Sequence, residues 1–104
     1  MGVKLYVDDI RRCPEGWDLA RTNTDAIRIL ATGMVDAISL DHDIAFEKEG
    51  AWFIADETYK PVAYYISLMA KKPDQILFHT ANIDQGRRMA EIIGCEFEHW
   101  GFGW

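Results

Sequence analysis

Apolar and polar residues alternate along Val3-Lys4-Leu5-Tyr6-Val7, the period-two pattern of a half-buried strand, and the run ends in Asp8-Asp9. Arg11 to Gly16, with Pro14 and Gly16, reads as a loop, and Trp17 to Arg21 as a short strand. Thr22 and Asp25 have the spacing of a capping box, with Asp in place of the usual Glu. Ile27, Leu30, Ala31 and Met34 follow at helical offsets as the expected inner face, with Gly33 as the stop. Val35 to Leu40 is an apolar strand that runs into Asp41-His42-Asp43. Ile44 to Thr58 shows no clear period and is expected to be a long loop with at most a helical turn, carrying an aromatic patch at Trp52 and Phe53.

Thr58 is a candidate cap for the next helix, whose inner face is Val62, Tyr65, Ile66 and Met69. Pro61 fits only its first turn, and Lys71-Lys72-Pro73 ends it. Gln75 to Phe78 is a third apolar strand, leading into His79-Thr80-Ala81-Asn82. Asp84 to Ile93 reads as a helix with Met89, Ile92 and Ile93 inward and Gly94 as stop. Cys95 to His99 is expected as a last strand, with the tail Trp100 to Trp104 packing locally.

Strands alternating with helices over one domain length, residues 1–104, predict an α/β fold with a mainly parallel sheet. The connection from Val7 to Trp17 is too short for a standard parallel crossover, so the Trp17 strand is expected at an edge, antiparallel, or irregular.

Composition narrows the function. The 11 basic and 17 acidic residues give a net charge of −6, which opposes nonspecific nucleic-acid binding. No apolar run reaches the roughly 20 residues of a membrane span, and the start has no secretory h-region, so a cytoplasmic protein without membrane contact is expected. Cys13 and Cys95 have no metal-like spacing and are expected as free thiols. Exposed tail aromatics offer a face for a homodimer.

In an open parallel sheet, ligands sit beyond the carboxyl ends of the strands. Three strand ends here carry Asp8 and Asp9, then Asp41, His42 and Asp43, then His79, Thr80 and Asn82. Gathered on one rim, these carboxylates repel one another unless a cation or protonated imidazoles neutralise them. Asp8, Asp9 and Asp41 have the oxygen chemistry that suits Mg²⁺ or Mn²⁺. His42 and His79, from different strand ends, suit acid–base work on either side of a phosphorus. Arg11, and Arg87 or Arg88, can bind phosphate oxygens. Taken singly, each has a plainer reading: turn residues for Asp8-Asp9, a helix cap for Asn82, a solvated helix face for Arg87-Arg88.

Asp8-Asp9-Ile10-Arg11, Pro14-Glu15-Gly16-Trp17, Arg21-Thr22, Ser39-Leu40-Asp41-His42-Asp43-Ile44 and His79-Thr80-Ala81-Asn82, in this order, resemble the cyclic-phosphate-processing receiver-like domain family. The resemblance spans about Lys4 to Ile93. It implies a receiver-like, flavodoxin-like sheet flanked by helices, with a reduced first crossover. It implies a phosphoesterase-like activity on a cyclic phosphate, at an RNA end or in a cyclic nucleotide. Asp8, Asp9 and Asp41 match its acidic pocket for a divalent cation, with no organic cofactor. His42 and His79 match its distinguishing histidines, Asn82 its polar residue after the fourth strand, and Arg11 its early basic residue. Ile83-Asp84-Gln85 stand where the family has Pro and Gly, and the Asp43 to Tyr59 segment is longer and more aromatic.

Three other readings stand beside it at this point. The same pocket can sequester a cyclic nucleotide or oligonucleotide without turnover, with the Trp52 segment stacking on bases and a role in blunting a nucleotide-signalled phage defence. A phospho-accepting receiver, with Asp41 as acceptor and Thr80 as switch hydroxyl, is disfavoured because Cys95 to Trp104 contains no Lys. A protein-interaction domain with a vestigial site is the third.

Overall fold

The computed structural model describes residues 2–100. Four parallel strands form the sheet: β1 (Val3–Val7), β2 (Asp18–Ala20), β3 (Val35–Leu40) and β6 (Gln75–Phe78), in the order β2-β1-β3-β6. A parallel bridge between Phe78 and His99 extends this edge, with the Phe78 amide donating to the Glu98 carbonyl and the Trp100 amide to the Phe78 carbonyl. The hairpin β4 (Asp43–Lys48) and β5 (Ala51–Thr58) stands outside this sheet. With it set aside, the order is 2-1-3-4, that of a flavodoxin-like sheet with the His99 bridge in the place of its fifth strand, and the switch point falls between β1 and β3.

The parallel sheet is flanked by α1 (Asn23–Leu30), α2 (Lys60–Leu68) and α3 (Ile83–Ile93). Side chains alternate across a strand, so residues paired in register share a face. Leu5, Val7, Ala20, Ile38, Leu40 and Phe78 share one face and join Ala26, Leu30, Val62, Ala63, Ile66, Met89, Ala90 and Ile93 of the three helices in a single core. The opposite face carries Tyr6, Ser39 and Leu77, which are also buried. There the Tyr6 ring meets Trp17 and Trp100 edge-on at centroid distances of 6.4 and 6.5 Å. Aromatic side chains from two connecting segments thus cover the sheet where helices do not.

Several expectations change. The β2 strand is an edge strand, one of the expected options, shortened to three residues, parallel to β1 and reached without a helix between them. The Ile44 to Thr58 loop is instead the β4–β5 hairpin. Its turn residues Glu49 and Gly50 have φ of 53° and 79°, the signs that a type I′ turn requires. Met34 is 56% exposed, because α1 ends at Leu30 and the chain turns through Gly33 before a helical face can reach it. Ala31 is exposed for the same reason, and Ala26 takes the inward position. The last strand is reduced to the bridge at His99. Tyr59, not Thr58, is the N-cap of α2, although the Thr58 hydroxyl accepts the Lys60 amide at 3.2 Å. The tail beyond Trp100 lies outside the described residues.

Other local features follow the sequence. Thr22 caps α1 by accepting the Asp25 amide, Pro61 sits in the first turn of α2, and Gly94 closes α3 at φ 85°. Cys13 and Cys95 are free thiols. No helix among the described residues is long and apolar enough to cross a membrane.

Candidate functional site

Asp8 and Asp41 leave the ends of β1 and β3, the two strands at the switch point, and their side chains fall on the face shared by Tyr6 and Ser39. Asp8 is fully buried. Its Oδ1 accepts the backbone amides of Ile10 at 2.9 Å and Arg11 at 2.7 Å, which closes the turn after β1. Its Oδ2 accepts Arg11 Nη1 at 3.2 Å and His79 Nε2 at 2.9 Å. Burial pushes the Asp8 carboxyl upward, but the bonds from His79, Arg11 and Ile10 outweigh it and hold the group below its ordinary value.

His79 follows β6 with its side chain wholly closed to solvent. Its ring stacks on Tyr6 at 4.2 Å and 9° between planes. Burial lowers its basicity and favours the neutral ring, opposed by the bond to Asp8 and its charge. An ionised Asp8 can only accept, so His79 carries its proton on Nε2. Nδ1 then accepts the Ser39 hydroxyl, 2.6 Å away. Ser39, on β3, is the residue that sequence reasoning missed. Its signal was its placement two residues before Asp41, hence on the same face of the strand.

Asp41 is raised to about 7, first by burial and then by the charge of Asp8, against the pull of the His42 amide and Arg11. Its Oδ1 accepts the His42 amide at 2.8 Å, and its Oδ2 lies 3.5 Å from Arg11 Nη1. Asp9 is also raised, mainly by burial, although its carboxylate accepts the Ala45 amide and so ties the hairpin base to the β1 turn.

Asp9, Arg11 and Asp41 open onto a cavity of about 190 Å³ walled also by Ala45, Ile54 and Thr80, together with Ile10, Asp43 and Ala81. Arg11 also borders a larger space of about 740 Å³ along the Arg12 to Glu15 loop, so its guanidinium can be approached from solvent. Thr80 is buried, and its hydroxyl accepts the Asn82 amide at 3.0 Å. Asn82 caps α3, accepting the Gln85 amide at 3.4 Å.

The structure therefore brings Asp8, Asp9, Arg11, Asp41, His79 and Thr80 together, with Asn82 one residue beyond the cavity wall at Ala81. It does not bring His42 and His79 to either side of one ligand. Neither imidazole is among the described residues lining the 190 Å³ cavity. His42 is buried, with Nδ1 2.7 Å from the Asp43 carboxylate and a buried Nε2 that has no hydrogen-bond partner among the described residues. Arg87 and Arg88 are also elsewhere. Arg87 lies over the Phe97 ring at 5.1 Å, and Arg88 borders a surface hollow with Lys60, Tyr64 and Glu91. Residues late in the first turns of α3 have rotated away from the strand ends.

The acidic trio was expected to hold a divalent cation. Ligand atoms of Asp8, Asp41 and His79 do lie within 4.8 Å of one another. Distance alone admits an ion, but the donor set as arranged does not fit one. Each Asp8 oxygen already accepts two hydrogen bonds, His79 directs a proton at Asp8, and a guanidinium nitrogen faces both carboxylates. Arg11 Nη1 lies 3.2 Å from Asp8 Oδ2 and 3.5 Å from Asp41 Oδ2.

The family model for the cyclic-phosphate processing receiver domain matches residues 3–94. The chain belongs to this family. No curated protein and no solved structure matched it.

Proposed function

We propose that this member of the cyclic-phosphate processing receiver family binds a nucleotide cyclic phosphate in the cavity between β1, β3 and the hairpin, and opens its ring by hydrolysis. The observation that carries the reading is the meeting of Arg11 with Asp41 and Asp9 on one cavity wall. Arg11 supplies planar, permanently charged donors to the phosphoryl oxygens, where charge builds as water adds. Asp41 and Asp9 are two carboxyl groups with raised proton affinity on the same wall. One gives a proton to the ring oxygen as the P–O ester bond breaks, and the other takes a proton from the attacking water as the new P–O bond forms. We assign the donor role to Asp41, the more strongly raised of the two, and the acceptor role to Asp9. The product is a phosphate monoester.

In this reading His79 is a positioning residue. It fixes Asp8, which in turn fixes the Arg11 side chain and backbone. The hairpin favours a nucleotide over a simple sugar phosphate. Ile54 lines the cavity, and Trp52, two residues along β5 on the same face, is 59% exposed. That apolar strip begins at the phosphate cavity and runs outward, as a base platform would.

The test is mass-spectrometric turnover on a panel of 2′,3′-cyclic and 3′,5′-cyclic phosphates with the full chain. Loss of one panel member in wild type, and its survival with Asp41→Asn, is expected. Intact ligand recovered from a stoichiometric complex would replace hydrolysis with sequestration. Neither turnover nor a ligand-induced melting shift would remove the proposal.

A further inference from the structure

We infer that Arg11 is the resident cation of this pocket, filling the place between Asp8 and Asp41 that a divalent ion would otherwise take. The inference goes beyond the proposed reaction and stands apart from it, since it concerns what neutralises the carboxylates whether or not a ring is opened.

Geometry carries it. Arg11 Nη1 lies 3.2 Å from Asp8 Oδ2 and 3.5 Å from Asp41 Oδ2, so one guanidinium nitrogen faces both carboxylates. The charge is tethered by the same turn that it neutralises. Asp8 Oδ1 accepts the Arg11 backbone amide at 2.7 Å, which sets the root of the side chain three residues from its partner. Asp8 has no oxygen to spare. Oδ1 takes two backbone amides, and Oδ2 takes Arg11 and His79. A hydrated Mg²⁺ or Mn²⁺ needs free carboxylate lone pairs at about 2.1 Å. It would have to expel Arg11 from Oδ2 to reach Asp8. One oxygen of Asp9, Oδ2, accepts the Ala45 amide.

The consequence is a pocket whose positive charge does not depend on metal supply. A guanidinium stays charged across the physiological pH range and presents a fixed fork to phosphate. Removing it should uncover the site that it fills.

The experiment is a Mn²⁺ titration of the full-length protein, followed by electron paramagnetic resonance and by melting temperature, at pH 7.5 with and without EDTA. Wild type and the control Arg12→Ala are expected to bind no Mn²⁺ and to melt unchanged in EDTA. Arg11→Ala is expected to gain Mn²⁺ binding at least tenfold over wild type, and to melt higher when Mn²⁺ is added. Arg11→Lys is expected to exclude the ion as wild type does. Should Arg11→Ala fail to fold, Arg11→Gln, which keeps a neutral donor toward Asp8, carries the comparison. Wild type binding Mn²⁺ as tightly as the Arg11 variants would overturn the inference. So would a folded Arg11→Ala or Arg11→Gln that binds none. The readout is metal binding, so its outcome is separate from that of the turnover panel.

Discussion

His79 donates its Nε2 proton to Asp8 across 2.9 Å, with the imidazole closed to solvent and its other nitrogen held by Ser39. The bond joins the end of β6 to the end of β1 across the intervening β3, so three strand ends are locked in one register by side chains. It also makes the histidine a brace for the pocket.

Removing the brace should therefore cost stability before it costs chemistry. His79→Ala leaves the buried Asp8 with one charged donor fewer and strips the ring from Tyr6. A loss of about 1–3 kcal/mol in urea unfolding is expected. Ser39→Ala, which orphans Nδ1, should lose about 1 kcal/mol and leave ligand affinity within a few-fold of wild type. A Ser39→Ala protein with unchanged stability would show that the hydroxyl does not hold the ring.

Asp41 gives a pH dependence of opposite sign to Asp8. Its folded value, about 7, lies above the unfolded 3.8, so the native state binds the extra proton between these limits. The contribution is fully present below the unfolded value and is lost as pH rises through about 7. Asp8, held below its ordinary value, contributes above pH 3.8 and loses that contribution as pH falls through its folded value. Asp41→Asn should therefore be more stable than wild type at pH 8, by on the order of 1 kcal/mol or more. The difference should shrink toward pH 4. Urea melts of both proteins at pH 4, 6 and 8 check this, and a pH-independent difference would contradict the assignment.

The hairpin strip separates binding from folding. Trp52 is 59% exposed and Ile54 65% exposed, so truncating Trp52 removes little from the core. Trp52→Ala should melt within 2 °C of wild type, roughly the shift of a few tenths of a kcal/mol. It should weaken a base-bearing cyclic phosphate by roughly tenfold, as loss of a stacking partner does. Ribose cyclic phosphate without a base should bind both proteins equally. Calorimetric titration of the two ligands distinguishes the outcomes.

Gly86 sits where α3 approaches the pocket from behind. A Cβ there would stand 2.8 Å from the Phe97 ring and 2.9 Å from Thr80 Cγ2, so one of them must move. Gly86→Ala should lose about 1–3 kcal/mol through overpacking, despite alanine's better helix propensity. It should also weaken ligand binding, because Thr80 lines the cavity. A more stable Gly86→Ala would mean that Phe97 yields freely.

The period-two run at Val3 to Val7, the apolar run at Val35 to Leu40, the cap at Thr22 and the stops at Gly33 and Gly94 were legible because local chemistry sets them. The chain order of acidic, histidine and threonine-bearing strand ends placed the candidate residues on one rim, since parallel strands present like ends together. The β4–β5 hairpin was not legible. Its two-residue turn has Glu49 at a positive φ where Asn or Asp is usual, and β5 has no buried residue to impose alternation.

Side-chain direction was decided by the tertiary structure alone. Sequence could put His42 and His79 at neighbouring strand ends, but not show that one ring pairs with Asp43 and the other closes on Asp8 and Ser39. It could count the carboxylates that need a positive charge. It could not say that Arg11 supplies one, because that depends on a turn folding the guanidinium back between two strands. Pattern along a chain fixes which face a residue takes within an element; what a buried charge meets beyond the end of that element is set by where the other elements stop.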